Sequence, residues 1–156
     1  MFFCLSTLQE IFKKILVLFD GSEQSKKALE YALNLKKSYK SKIIVLQIIP
    51  SDIRYELNEN QKIKHPLQFE NTLSLEQIET YQNLKKIMMD LKTKFDIKII
   101  VAIKSITAEI FEFAENNNVD LIVMGSRGRS GFKKLLLGSV ASSVVVYSHC
   151  PVFVIK

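Results

Sequence analysis

Apolar and polar positions fall in alternating blocks along this chain. "KKILVLFD" (13–20) is a nearly unbroken apolar run of strand length, the pattern of a strand buried on both faces. "SEQSKKALEYALNLKKSYK" (22–40) changes period: Ala28, Leu29, Ala32, Leu33 and Leu35 recur at helical spacing with lysines opposite. "SKIIVLQIIP" (41–50) reads as a second buried strand, stopped by Pro50. Residues 51 to about 72 are polar, contain Pro66 and read as a loop or partly ordered insertion. Ser74 and Gln77 make a capping-box start for a helix running to about Phe95. "DIKIIVAIK" (96–104) is a third strand. "TAEIFEFAENNN" (107–118) is a helix with Ile110, Phe111 and Ala114 inward, closed by an asparagine run. "VDLIVMG" (119–125) is a fourth strand, "GSVASSVVVYS" (138–148) a last helix, and "PVFVIK" (151–156) a fifth strand.

Five short apolar strands separated by amphipathic helices predict parallel βαβ units with right-handed crossovers and helices on both faces. At 156 residues, the chain fits a single doubly wound α/β domain over 13–156, preceded by an extension at 1–12. That extension is apolar but lacks a basic n-region and an A-x-A site, so it does not read as a signal peptide. No run reaches the ~18 apolar residues of a membrane span.

The net charge of +6 raises the question of an anionic partner. The lysines are scattered over several segments, as on solvated helix faces, and the aromatic-plus-basic motifs of nucleic-acid modules are missing. Two widely spaced cysteines, Cys4 and Cys150, make no disulfide framework, and with His65 and His149 they show no metal spacing. A reduced, cytoplasmic setting follows. The neighbouring His149 and Cys150 read as the turn into the fifth strand, not as a nucleophile–base pair.

The charge becomes informative in one window, "MGSRGRSGFKKLLLGSVASS" (124–143), which holds four of the five glycines with basic residues between them. In open α/β sheets, ligands bind beyond the carboxyl ends of the strands, where the winding reverses. If the first and fourth strands are neighbours, Asp20 and Gly125 face one crevice. Gly125 turns the chain off its strand, while Gly128 and Gly131 permit positive φ and leave backbone N–H groups open. Gly138 and Ser139 open a helix whose N-terminus is an anion site. Arg127, Arg129 and Lys133 supply rim charge. The window is neither a P-loop nor a G-x-G-x-x-G fingerprint.

The spacing G-x2-G-x9-G-S (Gly125, Gly128, Gly138, Ser139), flanked by "VDLIVMG" and "HCPVFVIK", resembles the universal stress protein family. The likeness extends back to "ILVLFDGSEQSKKALEYA". It implies strand order 3-2-1-4-5 and, because the glycine-and-serine signature is intact, an ATP-binding member. By position, Leu18, Phe19 and Asp20 would border the adenosine, Ile48 the adenine, and Met124 and Gly125 the ribose. Gly128, Gly138, Ser139 and Val140 would reach the phosphates, with Arg127, Arg129, Ser130 and Gly131 close by. A divalent ion, Mg2+ or Mn2+, on the phosphates fits this picture. Lys104 and Ser105 stand where the family often has a glycine, a departure that bears on that local turn. The resemblance also implies a homodimer through strand 152–156, an apolar edge that invites pairing with another chain; the alternative is an edge covered by residues 1–12. The expected role is a nucleotide-dependent regulatory module of the stress response. The alternative is a slow ATP hydrolase or autophosphorylating enzyme, although no carboxylate pair or water-positioning residue for phosphoryl transfer stands out.

Overall fold

The computed structural model describes residues 12–50, 75–90, 93–102, 104–128 and 137–156. The expected loop at 51–72, Ser74 of the capping box and residues 1–11 of the extension lie outside them. The strands are β1 (Lys14–Leu18), β2 (Lys42–Pro50), β3 (Asp96–Ala102), β4 (Leu121–Gly125) and β5 (Val152–Ile155). The helices are α1 (Glu23–Tyr39), α2 (Leu75–Asp90), α3 (Ile106–Asn116) and α4 (Ser139–Tyr147).

The strands form one parallel sheet in the order β3-β2-β1-β4-β5. β1 is central, with Val17 level with Val45 on one side and Val123 on the other. Because side chains alternate along a strand, consecutive residues feed opposite cores. Ile15, Val17, Ile43, Val45, Leu121 and Val123 pack with Ala28, Leu29 and Ala32 of α1 and Leu84 of α2. Leu16, Ile44, Leu46, Ile122 and Met124 pack with Ile110 and Ala114 of α3 and Ala141 and Val144 of α4. This two-sided burial is why the strands read as continuous apolar runs. Each fully buried Leu, Ile or Val contributes about 1.5–3 kcal/mol.

Local chemistry sets the element ends. The Ser22 hydroxyl caps α1 by accepting from the Ser25 N–H at 3.2 Å, and Ser105 does the same for α3 at Ala108. That cap starts α3 at Ile106, one residue earlier than the sequence pattern suggests. At the other end, α1 closes on Lys40 in the left-handed region (φ 56°), and Asn118 (φ 50°) turns the chain after α3. Residues 91–92 lie outside the described residues, and Phe95 lies outside α2, its ring buried in the α1-side core on the way into β3. Asp120, just ahead of β4, accepts from the N–H groups of Lys13 and Lys14, and its own N–H donates to the Lys14 carbonyl. This clamp fixes β1 against β4, and so brings their carboxyl ends side by side.

Candidate functional site

The sheet's winding reverses between β1 and β4, and a cleft of about 410 Å3 opens there. On the β1 side, the Phe19 N–H donates to the Leu46 carbonyl at 2.9 Å, extending the strand pairing by one residue. The chain then turns through Gly21 (φ 84°), and the Asp20 carboxylate accepts from the Ser22 N–H at 3.0 Å. Asp20 therefore supports the turn into α1 while lining the cleft.

On the β4 side, the Ser126 N–H donates to the Ile155 carbonyl, and the Gly138 N–H donates to the Ser126 carbonyl at 2.8 Å. The second bond returns the far end of the glycine window to the end of β4. It seats the start of α4 in the same cleft as Asp20.

The described glycines serve different ends. A Cβ on Gly125 would lie 2.7 Å from Gln24 Cβ and 3.1 Å from its backbone carbon, so this glycine lets α1 approach β4. A Cβ on Gly128 would lie 2.7 Å from Asp20 Oδ2. The expectation of positive φ at Gly128 is not met: among the described glycines only Gly21 has it, and a side chain at Gly128 would instead have to displace the Asp20 carboxylate. At Gly138 a Cβ would meet nothing nearer than 3.7 Å, so the fold itself leaves room for one.

α4 begins differently from α1 and α3. Its N-cap is Gly138, with no side-chain hydrogen bond to the first turn. The N-terminal amides of a helix need acceptors from outside it, and here Gly138, Ser139, Val140 and Ala141 all line the cleft. Among the described residues two buried side-chain polar atoms lack a partner, Gln47 Oε1 and Arg127 Nε, and both residues line the same cleft. Apolar walls come from Leu18, Ile48, Ile106, Ile110 and Met124.

The cleft thus brings together Leu18, Phe19, Asp20, Ile48, Met124, Gly125, Arg127, Gly128, Gly138, Ser139 and Val140, all marked out by sequence. Arg129, Ser130 and Gly131 lie outside the described residues. Sequence reasoning passed over Ser25, Gln47, Ile106 and Ile110. Gln47 carried a visible signal, a polar residue inside the apolar run "KIIVLQIIP"; the two isoleucines of α3 were indistinguishable from core.

His149 and Cys150 sit away from this lining. His149 Nε2 lies 3.1 Å from the Val119 carbonyl, and the Cys150 N–H donates to Ser148 Oγ. Burial pushes the Cys150 thiol above its ordinary range. Among the described residues no three His, Cys, Asp or Glu side chains cluster as metal ligands, and no helix is long and apolar enough to cross a membrane.

A doubly wound α/β protein with a cleft at its switch point is the class that this fold and site define. The universal stress protein family model matches residues 11–156, and the chain belongs to that family. Universal stress protein MJ0577 of Methanocaldococcus jannaschii is 31% identical over 158 aligned residues, covering 94% of this chain and 96% of the relative. Its solved structure superposes with a TM-score of 0.69 at 34% identity, again over 94% and 96%. Two more distant structures share the fold: a universal stress protein from Archaeoglobus fulgidus in complex with dAMP (TM-score 0.63, 20% identity, 94% and 99% covered) and one in complex with cAMP (TM-score 0.67, 19%, 94% and 99%).

Proposed function

We propose that this chain is an ATP-binding universal stress protein, a module whose nucleotide occupancy regulates its interactions during stress. The observation that carries this reading is the convergence on one cleft of an uncapped helix N-terminus and two unpartnered polar atoms. Free N–H groups at a helix start attract phosphate, and Arg127, whose Nε lacks a partner, lines the same cleft. Gly138 supports the reading independently: the fold tolerates a Cβ there, whereas a phosphate approaching the backbone would not. The dAMP and cAMP complexes of distant members point to the adenine class.

In this reading Leu18, Phe19, Asp20 and Ile48 hold the adenosine, and Met124 and Gly125 flank the ribose. Gly128, Gly138, Ser139, Val140 and Arg127 hold the phosphates, with Arg129, Ser130 and Gly131 between them. Mg2+ usually takes one or two carboxylates plus substrate phosphates. Asp20 is the carboxylate lining the cleft among the described residues, so a Mg2+ or Mn2+ ion would rest mainly on the nucleotide. Residues 13–156 form the binding domain, 1–12 an extension, and the protein acts in the cytoplasm as a homodimer through β5.

The test is to heat-denature the purified protein and analyse the supernatant, then titrate the nucleotide-free protein with ATP. An adenine nucleotide in the supernatant and saturable binding are expected. Absence of both overturns the reading. Turnover of ATP at about 1 per second or faster, within the usual enzymatic range, and lost in Asp20→Ala, would overturn the binding-module role in favour of an enzyme.

A further inference from the structure

Phe12 is held in place where the chain enters β1. Its carbonyl accepts from the Ser41 hydroxyl, and its ring meets Tyr39 edge-on at 5.4 Å and Phe153 at 6.0 Å. Phe153 is level with Val123 of the α1-side core, and Ile155, two residues on, shares that face of β5. On α1, Gln24 packs over Gly125 of β4. Tyr31, Leu35 and Tyr39 follow it at helical spacing, so they lie on the same side of α1, toward β4 and β5. A crossover helix runs back against the strands. The stripe from Tyr39 to Tyr31 therefore climbs alongside the one from Phe153 to Ile155, and the two border an apolar strip with Phe12 at its lower end. Much of this strip faces outward: Tyr31 is 57% exposed and Phe153 41%.

We infer that residues 1–11 dock on this strip as an amphipathic helix, closing the α1-side flank of β5. Met1, Leu5, Leu8 and Phe12 recur at i, i+4, i+7 and i+11, one face of a helix, with Ser6, Thr7 and Glu10 opposite. Phe3 is the large apolar residue that falls off this face. Phe12, the end of the stripe that the structure describes, already lies against Tyr39 and Phe153. The lengths agree as well. A helix of eleven residues rises about 16 Å, and Tyr39 to Tyr31 spans about 12 Å. The tether at Phe12 favours this occupant over a second copy, because it gives the segment an effective concentration of about millimolar at the strip. The family model begins at residue 11, so the segment is an addition to the shared fold. The outward backbone groups of β5 take no part in this contact.

The experiment compares melting temperatures of the full chain, of a chain lacking residues 2–10, and of point variants in each. In the full chain, Leu8→Lys and Tyr31→Ser should each lower the melting temperature by about 3–6 °C, while Thr7→Lys, on the opposite face, should move it by less than about 1 °C. In the shortened chain, Tyr31→Ser should have no effect, because an exposed residue without a partner is replaced at little cost. Should the shortened chain fail to fold, the Leu8→Lys, Tyr31→Ser double variant of the full chain replaces it. Its loss should fall short of the sum of the single losses, since the two changes break one contact. Equal effects of Leu8→Lys and Thr7→Lys overturn the inference. So does strict additivity in the double variant. A Tyr31→Ser loss that is the same with and without the segment and grows with protein concentration assigns the strip to a second copy and also overturns it.

Discussion

Three glycines that look alike in the sequence should behave differently under the same substitution. Gly125→Ala drives a methyl into Gln24, backbone included, and should cost about 1–3 kcal/mol by overpacking. Gly128→Ala meets only the movable end of Asp20, so stability should fall by less than about 1 kcal/mol. Displacing that carboxylate should nevertheless weaken nucleotide binding. Gly138→Ala meets no clash, but alanine is a poorer N-cap than glycine, so unfolding free energy should fall by about 0.5–1 kcal/mol while ATP affinity drops. Chemical denaturation paired with ATP titration separates the three; a Gly138→Ala protein with wild-type affinity would remove that position from the site. A second residue-scale prediction concerns Cys150. The thiolate is the reactive form, and burial holds the thiol protonated to higher pH. In a Cys4→Ser background, native protein at pH 8 should react with a thiol reagent several-fold more slowly than the denatured chain. The glycine spacing made the site legible in sequence, but not the reason for each glycine. Gly128 answers to Asp20, more than a hundred positions earlier, a contact that only the β1–β4 pairing creates.

Elements were the most legible level, because every strand is an apolar run and every helix changes the period to helical spacing. The discrepancies are all at ends, where one hydrogen bond decides. Ser105 moves the start of α3 to Ile106, and the burial of Phe95 belongs to the approach to β3 and not to α2. Caps also divide the helices by task. Ser22→Ala and Ser105→Ala each remove a side-chain acceptor from a first turn and should cost about 1 kcal/mol in unfolding free energy. Gly138→Ser is the reverse case. It offers α4 the cap it lacks, so the free protein should gain a few tenths of a kcal/mol. The new hydroxyl then occupies the amides proposed for phosphate, and ATP affinity should drop. If Gly138→Ser is both more stable and equally tight, the α4 N-terminus is not the anion site.

At the scale of the molecule, the order β3-β2-β1-β4-β5 buries β1 and leaves β5 as an edge. The Ser126 N–H donates to the Ile155 carbonyl and the Ile122 N–H to the Pro151 carbonyl, so 151 and 155 pair toward β4. With a period of two, the backbone groups of Val152 and Val154 face away from the sheet. Beside this edge, unpaired among the described residues, the surface is apolar: Phe153 is 41% exposed, and on α4 Val146 and Tyr147 are 67% and 73% exposed. An unpaired edge flanked by exposed apolar side chains is a template for another strand. A second copy of the same edge satisfies it with two-fold symmetry. The protein should therefore sediment as a dimer at micromolar concentration. Val154→Pro deletes an outward N–H without touching the β4 ladder, and Val146→Lys adds a charge to an already exposed position. Each should shift the protein toward monomer while leaving ATP binding within about two-fold, since neither residue lines the cleft. A monomeric wild type, or variants that stay dimeric, would overturn the β5 interface and leave the nucleotide site standing, because the two lie on different parts of the sheet.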